Sequence, residues 1–184
     1  TLAYRLEGMR SLDSFTREKW SKKSWESMNL YAQIAHKLGL YSIKSELEDI
    51  ALKYLEPKDY EHIVTKLEES ADERRAFIAR FLVPIEQRLN QLGIHYHIKS
   101  RTKSIFSIWN KMQKQHVPFE GVYDIFAIRI IIDCPPESEK QLCWTAYSVV
   151  TYSSTPNPHR MPDWRPNPNS NRHDSLHPPA PAHA

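Results

Sequence analysis

Lys103, Ser107 and Lys111 recur at i, i+4 and i+8, with Lys114 close by and Arg101 just upstream. If Thr102–Gln115 is helical, that spacing lines the three up on one face. Ile105, Ile108, Trp109 and Met112 fall on the opposite face and form an apolar stripe. A cationic row of this kind suits a polyphosphate: an arginine offers two parallel N–H donors, and a lysine offers a compact point charge. The start of such a helix would add unpaired backbone N–H groups and the positive end of its dipole. A charge stripe by itself is better explained by a solvated helix face. Ser107 between the lysines and Arg101 at the helix mouth favour the phosphate cradle.

Glu120 and Asp124 follow, at the entrance to an apolar run. Mg²⁺ is commonly held by one or two carboxylates together with substrate phosphates, so Asp124 is a candidate metal ligand. Taken singly, each residue is better explained as a loop acid or a helix cap. Arg129 lies inside the run Ile125–Asp133, where a charge is costly unless it has a partner. It could pair with a carboxylate or contact a nucleotide, and the sequence leaves both open. His95 and His97 share a strand face without a third ligand nearby, which disfavours a metal site there.

These residues need a scaffold. Thr1 to about Pro57 reads as helical. Lys22–Lys37 has apolar positions at helical spacing and Gly39 as its stop. A second helix follows with Ile43, Leu47, Ile50, Ala51 and Tyr54 on one stripe, and Pro57 is expected to end it. Ser70-Ala-Asp-Glu73 has the spacing of a capping box. It opens a helix that turns Phe77, Phe81, Ile85 and Leu89 inward, with a kink expected at Pro84 and a stop at Gly93. Ile94, Tyr96 and Ile98 then alternate with His95, His97 and Lys99, the period of a half-buried strand. Ile125–Asp133 is almost wholly apolar, as in a strand covered on both faces. Glu137–Tyr152 is helical. Strand, helix, strand, helix in that order argues for an α/β (α+β) layer architecture.

The 184 residues suffice for one domain with a helical appendage, and 40% of them are hydrophobic, so most of the chain can fold. The formal charge of +3 is too weak to imply nucleic-acid binding. Cys134 and Cys143 fit no zinc spacing. No apolar run approaches membrane-spanning length and no secretory signal is visible, so a cytoplasmic protein is expected. From about Ser153 the composition changes: eight of the 13 prolines lie there and aliphatic residues nearly vanish. Such a tail cannot bury enough apolar surface to order itself alone.

The motifs resemble those of a known family. Arg101-Thr-Lys103-Ser-Ile-Phe-Ser107-Ile-Trp-Asn-Lys111-Met112, then Tyr123-Asp124-Ile-Phe-Ala-Ile-Arg129-Ile-Ile, resemble the synthetase domain of RelA/SpoT proteins. The run from Ile34 to Pro57 looks like that family's linker between hydrolase and synthetase. Cys143-Trp144, Pro156-Asn-Pro158 and Asp163-Trp164 also match it. The resemblance implies a nucleotidyltransferase-like mixed sheet with flanking helices. It implies transfer of the β,γ-pyrophosphate of ATP to the 3′-hydroxyl of GDP or GTP, giving (p)ppGpp. On the same ground Arg101, Lys103 and Lys111 would hold donor phosphates, Ser107 would support them, and Asp124 would hold Mg²⁺. Arg129, Asn171 and His173 would complete the nucleotide contacts. Residues 1–57 would be a hydrolase remnant and linker, 58–152 the synthetase core, and 153–184 a Pro-rich tail.

The chain departs from the family at both ends. Where the family has Pro-Lys-x-Asn-Gly-Tyr, this chain has Pro168-Asn169-Ser-Asn171-Arg172-His173. The family's catalytic Glu, in Glu-x-Gln-Ile-Arg on a later strand, would lie beyond Ala184. Leu2-Ala-Tyr4-Arg5-Leu-Glu7-Gly8-Met9-Arg10 resembles the end of the hydrolase domain, with Tyr4 in place of a metal-binding Asp. Hydrolysis is therefore not expected, and synthesis by these residues alone is expected to be weak. The alternative is a truncated, inactive member that binds nucleotide or a regulatory partner. Ribosome contact would need domains absent from this chain, and neither membrane nor nucleic acid is an expected partner.

Overall fold

A computed structural model describes residues 1–122 and 124–153. The described chain packs as two compact units, one made of residues 1–70 with 102–125, the other of residues 71–101 with 126–153.

The first unit is helical: α1 (Leu2–Arg10), α2 (Arg17–Glu26), α3 (Ala32–Lys37), α4 (Tyr41–Leu55), α5 (Pro57–Glu69) and α7 (Ile105–Gln115). Its first core gathers Leu6, Met9, Leu12, Ala32, Leu47 and Ala51, with Ile43, Ile50 and Tyr54 of the expected stripe packed around them. The helix expected over Lys22–Lys37 is interrupted. Ser27–Tyr31 is a π-helical turn that separates α2 from α3, so the ladder widens there without breaking. Gly39 then adopts φ +73°, a left-handed conformation that favours glycine, just after α3. Pro57 does more than end α4: it is the first residue of α5, where its fixed φ suits a helix start and its missing N–H costs nothing.

The hydroxyls of Ser24 and Ser27 are fully buried and lack a hydrogen-bond partner among the described residues. An unsatisfied buried hydroxyl is destabilising. Ser27→Ala is thus expected to raise stability by about 1 kcal/mol, seen as a higher Tm. A lower Tm would mean that the hydroxyl has a partner.

A second core in this unit joins Ile63 of α5 and Ile108 of α7 to Phe119 and Val122, with Ile105, Trp109 and Met112 packed against it. The apolar face expected for α7 is therefore the face it buries, which leaves the cationic row on the other side.

The second unit holds α6 (Ala71–Gln91), β1 (Tyr96–Thr102), β2 (Phe126–Ile132) and α8 (Pro136–Ser153). Pro84 lies inside α6 and does not end it. The Asp133 N–H donates to the His95 carbonyl, and the Lys103 N–H to that of Ile125. The two sums of residue numbers agree, so the strands run antiparallel, with Lys99 opposite Arg129 and Arg101 opposite Ala127. Tyr96, Ile130 and Ile132 pack on Ile85 and Leu89 of α6 and on Ala146, Val149 and Val150 of α8. The result is an α+β arrangement. In place of the mixed sheet of the resemblance, the described residues form two antiparallel strands. β2 was expected to be covered on both faces. Ala127 and Arg129 are instead exposed, because α6 and α8 both lie on the face carrying Tyr96, Ile130 and Ile132. Among the described residues, no helix is long and apolar enough to cross a membrane.

Candidate functional site

Lys103, Lys111 and Asp124 come together in the first unit. Ser104 caps α7, its hydroxyl accepting the Ser107 N–H at 3.3 Å. Lys103 therefore precedes the helix, although the sequence places it on the helix face. Its own N–H donates to Ile125 O at 2.7 Å. That bond ties the approach to α7 to the approach to β2 and puts Asp124 beside Lys103. Lys111 reaches the same place from the second turn of α7. Both ammonium groups donate to Asp124 Oδ2.

Two cations on one carboxylate leave the cluster with a net charge of +1, and all three side chains remain about one-third exposed. Burial pulls the Lys103 ammonium below its ordinary value, and the nearby Lys111 adds to this against the pull of Asp124. Burial pushes the Asp124 carboxyl upward, but the two lysine hydrogen bonds together outweigh it and hold it below the usual carboxylate range. The cluster is a surplus of positive charge, preorganised and open to solvent. That is what an incoming polyphosphate requires.

The start of α7 differs from the open anion site expected of it. Asp49 of α4 accepts the Phe106 N–H at 2.8 Å, and the Ile105 N–H also bonds to its carboxylate. With Ser104 taking the Ser107 N–H, the free donors of the first turn are already used. The Ser107 hydroxyl lies 2.7 Å from that of Ser104. Its contact is with the helix cap, and the lysines engage Asp124 without it. One turn on, Trp109 Nε1 donates to Asp59 of α5 at 2.8 Å. Asp49 and Asp59 are functional candidates that the sequence reasoning missed. Nothing in local spacing links Asp49 to Phe106, which lies 57 residues away.

Glu120 ion-pairs with Lys66 at 3.1 Å, and its own backbone N–H, with Lys66 second, holds its carboxylate below the usual range. Among the described residues, Asp124 is thus the sole carboxylate in contact with the two lysines. One carboxylate suits Mg²⁺ that arrives largely coordinated by nucleotide phosphates, and does not suit a cage built from protein alone. Gly121 shapes the turn leading to Asp124. A Cβ there would meet Val117 Cβ at 2.8 Å. Gly121→Ala is expected to cost about 1–3 kcal/mol by overpacking, measurable as a lower Tm, and an unchanged Tm would show that the turn can yield.

Arg101 and Arg129 belong to the second unit, on the exposed face of β1 and β2, beside Lys99. Arg129 has no ion pair among the described residues. His97 on that face pairs with Asp133 at 2.9 Å. Asn171 and His173 lie outside the described residues.

Residues 100–180 match the model of a region found in RelA/SpoT proteins. Over 177 residues, 96% of this chain and 25% of the relative, the chain is 36% identical to a guanosine-3′,5′-bis(diphosphate) 3′-pyrophosphohydrolase of Aquifex aeolicus. It is 32% identical to a GTP pyrophosphokinase of Myxococcus xanthus over 96% of the chain and 23% of that protein. It is 35% identical to a GTP pyrophosphokinase of Streptomyces coelicolor over 96% of the chain and 20% of that protein. The chain thus spans about a quarter of the length of the curated relatives it matches. The long motif pair around Lys103 and Asp124 agrees with that match: residues 100–180 are a RelA/SpoT region, in a chain similar to such proteins over 96% of its length.

Proposed function

We propose that this chain carries the donor side of a (p)ppGpp synthetase site, which takes ATP with Mg²⁺ and presents its β,γ-pyrophosphate to the 3′-hydroxyl of GDP or GTP. The observation that carries this is the convergence of Lys103 and Lys111 on Asp124. The two ammonium groups would bind the phosphates, and Asp124, released from them, would hold the metal. Mg²⁺ would supply charge neutralisation at the transferring group. Little covalent work falls to the protein in phosphoryl-type transfers, so fixed cations are the main contribution expected of it. The resemblance assigns Arg101 to phosphate binding as well. β1 and β2 would form part of the family's nucleotidyltransferase-like sheet.

A second function, nucleotide capture without turnover, is favoured by Arg172 and His173 where the family has Gly and Tyr. A calorimetric titration tests what both share. Mg-ATP is expected to bind the chain, and to bind it more tightly than ATP in the presence of a chelator. Absence of binding would overturn both. A thin-layer assay with labelled ATP and GTP then separates synthesis from capture.

A further inference from the structure

α7 carries Lys111, and its own first turn is held by residues far away in sequence. The Asp49 carboxylate is half-buried on α4 and accepts the Ile105 and Phe106 amides. Asp59 of α5 takes the Trp109 indole N–H. Burial works against the Asp49 charge and pushes its carboxyl upward, with the two amides opposing. A half-buried carboxylate at such a position keeps its charge because the helix start compensates it, through two hydrogen bonds and the positive dipole end.

We infer that Asp49 is a positioning residue of the nucleotide site: by anchoring the first turn of α7 to the linker helix α4, it sets where Lys111 points relative to Lys103 and Asp124. Asp59 does the same for the next turn through Trp109. The geometry supports this in two ways. Lys103 and Lys111 reach one carboxylate oxygen from different elements, Lys103 from an extended segment fixed by the Ile125 carbonyl and Lys111 from α7. A small rotation of α7 about its axis would therefore separate the two ammonium groups. Without Asp49 the first turn of α7 keeps no directional tie to α4, and the apolar contacts to Ile63 and Phe119 that remain beside the Trp109–Asp59 bond are non-directional and fix rotation poorly. Asp49 thus links α4, in the segment that resembles the family's inter-domain linker, to the phosphate-binding residues.

This inference rests on the nucleotide reading of the Lys103/Lys111/Asp124 cluster. The test is Mg-ATP calorimetry on the full chain, its Asp49→Ala and Asp49→Asn variants, and Leu12→Ala as a control. Leu12 is fully buried in the other core of the same unit. Asp49→Ala is expected to weaken Mg-ATP binding about tenfold, as loss of a charge-assisted contact does. Asp49→Asn keeps an acceptor oxygen in place and is expected to stay within about threefold of the parent, because Asn also caps helices well. Leu12→Ala loses stability without losing affinity. Amide exchange at Phe106 should quicken in Asp49→Ala and remain slow in Leu12→Ala. Parent-like affinity in Asp49→Ala would overturn the inference, as would equal weakening in Leu12→Ala. If the parent chain binds no Mg-ATP, the nucleotide reading itself falls, and the inference falls with it.

Discussion

Lys103→Ala is expected to weaken Mg-ATP binding by about 1.5–3 kcal/mol, the range for a lost charge-assisted contact. In calorimetry that is a loss of roughly ten- to a hundredfold. The protein should stay folded, because Asp124 retains Lys111 as a partner. Lys111→Ala should cause a loss of similar size, and the double variant less than the sum, since the two ammonium groups share one carboxylate. The effect should also depend on pH. Burial lowers the Lys103 ammonium below its ordinary 10.5. The protonated form is the one that attracts phosphate, so affinity is present below the folded-state value and lost as pH rises through it. The parent chain's affinity should therefore decline before pH 10.5 is reached, while Lys103→Ala shows a flatter profile. Equal affinities of parent and variant across that window would remove Lys103 from the site.

The parts that the sequence made legible are those governed by local periodicity. The inward stripe of α7, Ile105, Ile108, Trp109 and Met112, is the face that packs on Ile63 and Phe119. The stripe of α4, with Leu47 and Ala51 at its centre, is likewise the buried one. Periodicity also signalled both strands. It misled at β2, where near-continuous apolar residues suggested cover on both faces and Arg129 proved to be the exposed side of an antiparallel pair. The departures at Lys103 and at the start of α7 have one cause. A helix boundary depends on which atoms cap it, and here the caps are Ser104, three residues from its bond partner, and Asp49, far upstream. A stripe counted at i, i+4 and i+8 cannot register either. Lys103 still meets Lys111, because the extended backbone before the cap carries its side chain to Asp124. Bringing α4 against α7 is a tertiary event between segments with no common motif, so Asp49 appeared in the sequence only as an acid off an apolar stripe.

Asp124→Ala is expected to reverse the metal response of the site, an effect that Lys103→Ala cannot produce. In the ligand-free protein Asp124 occupies both ammonium groups. Metal-free ATP must displace that carboxylate and then sit beside its negative charge. Removing Asp124 leaves two half-buried ammonium groups facing each other with no counter-charge, a stronger attraction for phosphate and a weaker fold. The fold penalty has a definite pH signature. The Asp124 carboxyl is held below its ordinary 3.8, so its contribution to the parent is present above that value and is lost as pH falls through the lower folded-state one. The gap in Tm between parent and variant should therefore be full at neutral pH and close in acid. For ligand, ATP with a chelator should bind the variant about tenfold more tightly than the parent, near 1.4 kcal/mol, the scale of one removed like-charge contact in a partly solvated site. Mg²⁺ should then add little, because the carboxylate that would share it is gone, whereas it should tighten binding to the parent. The two titrations cross: without metal the variant binds better, and with metal the parent does. If the variant gains nothing in the absence of metal and still responds to Mg²⁺, Asp124 neither blocks the phosphate position nor holds the ion, and the lysine pair alone would remain as the site.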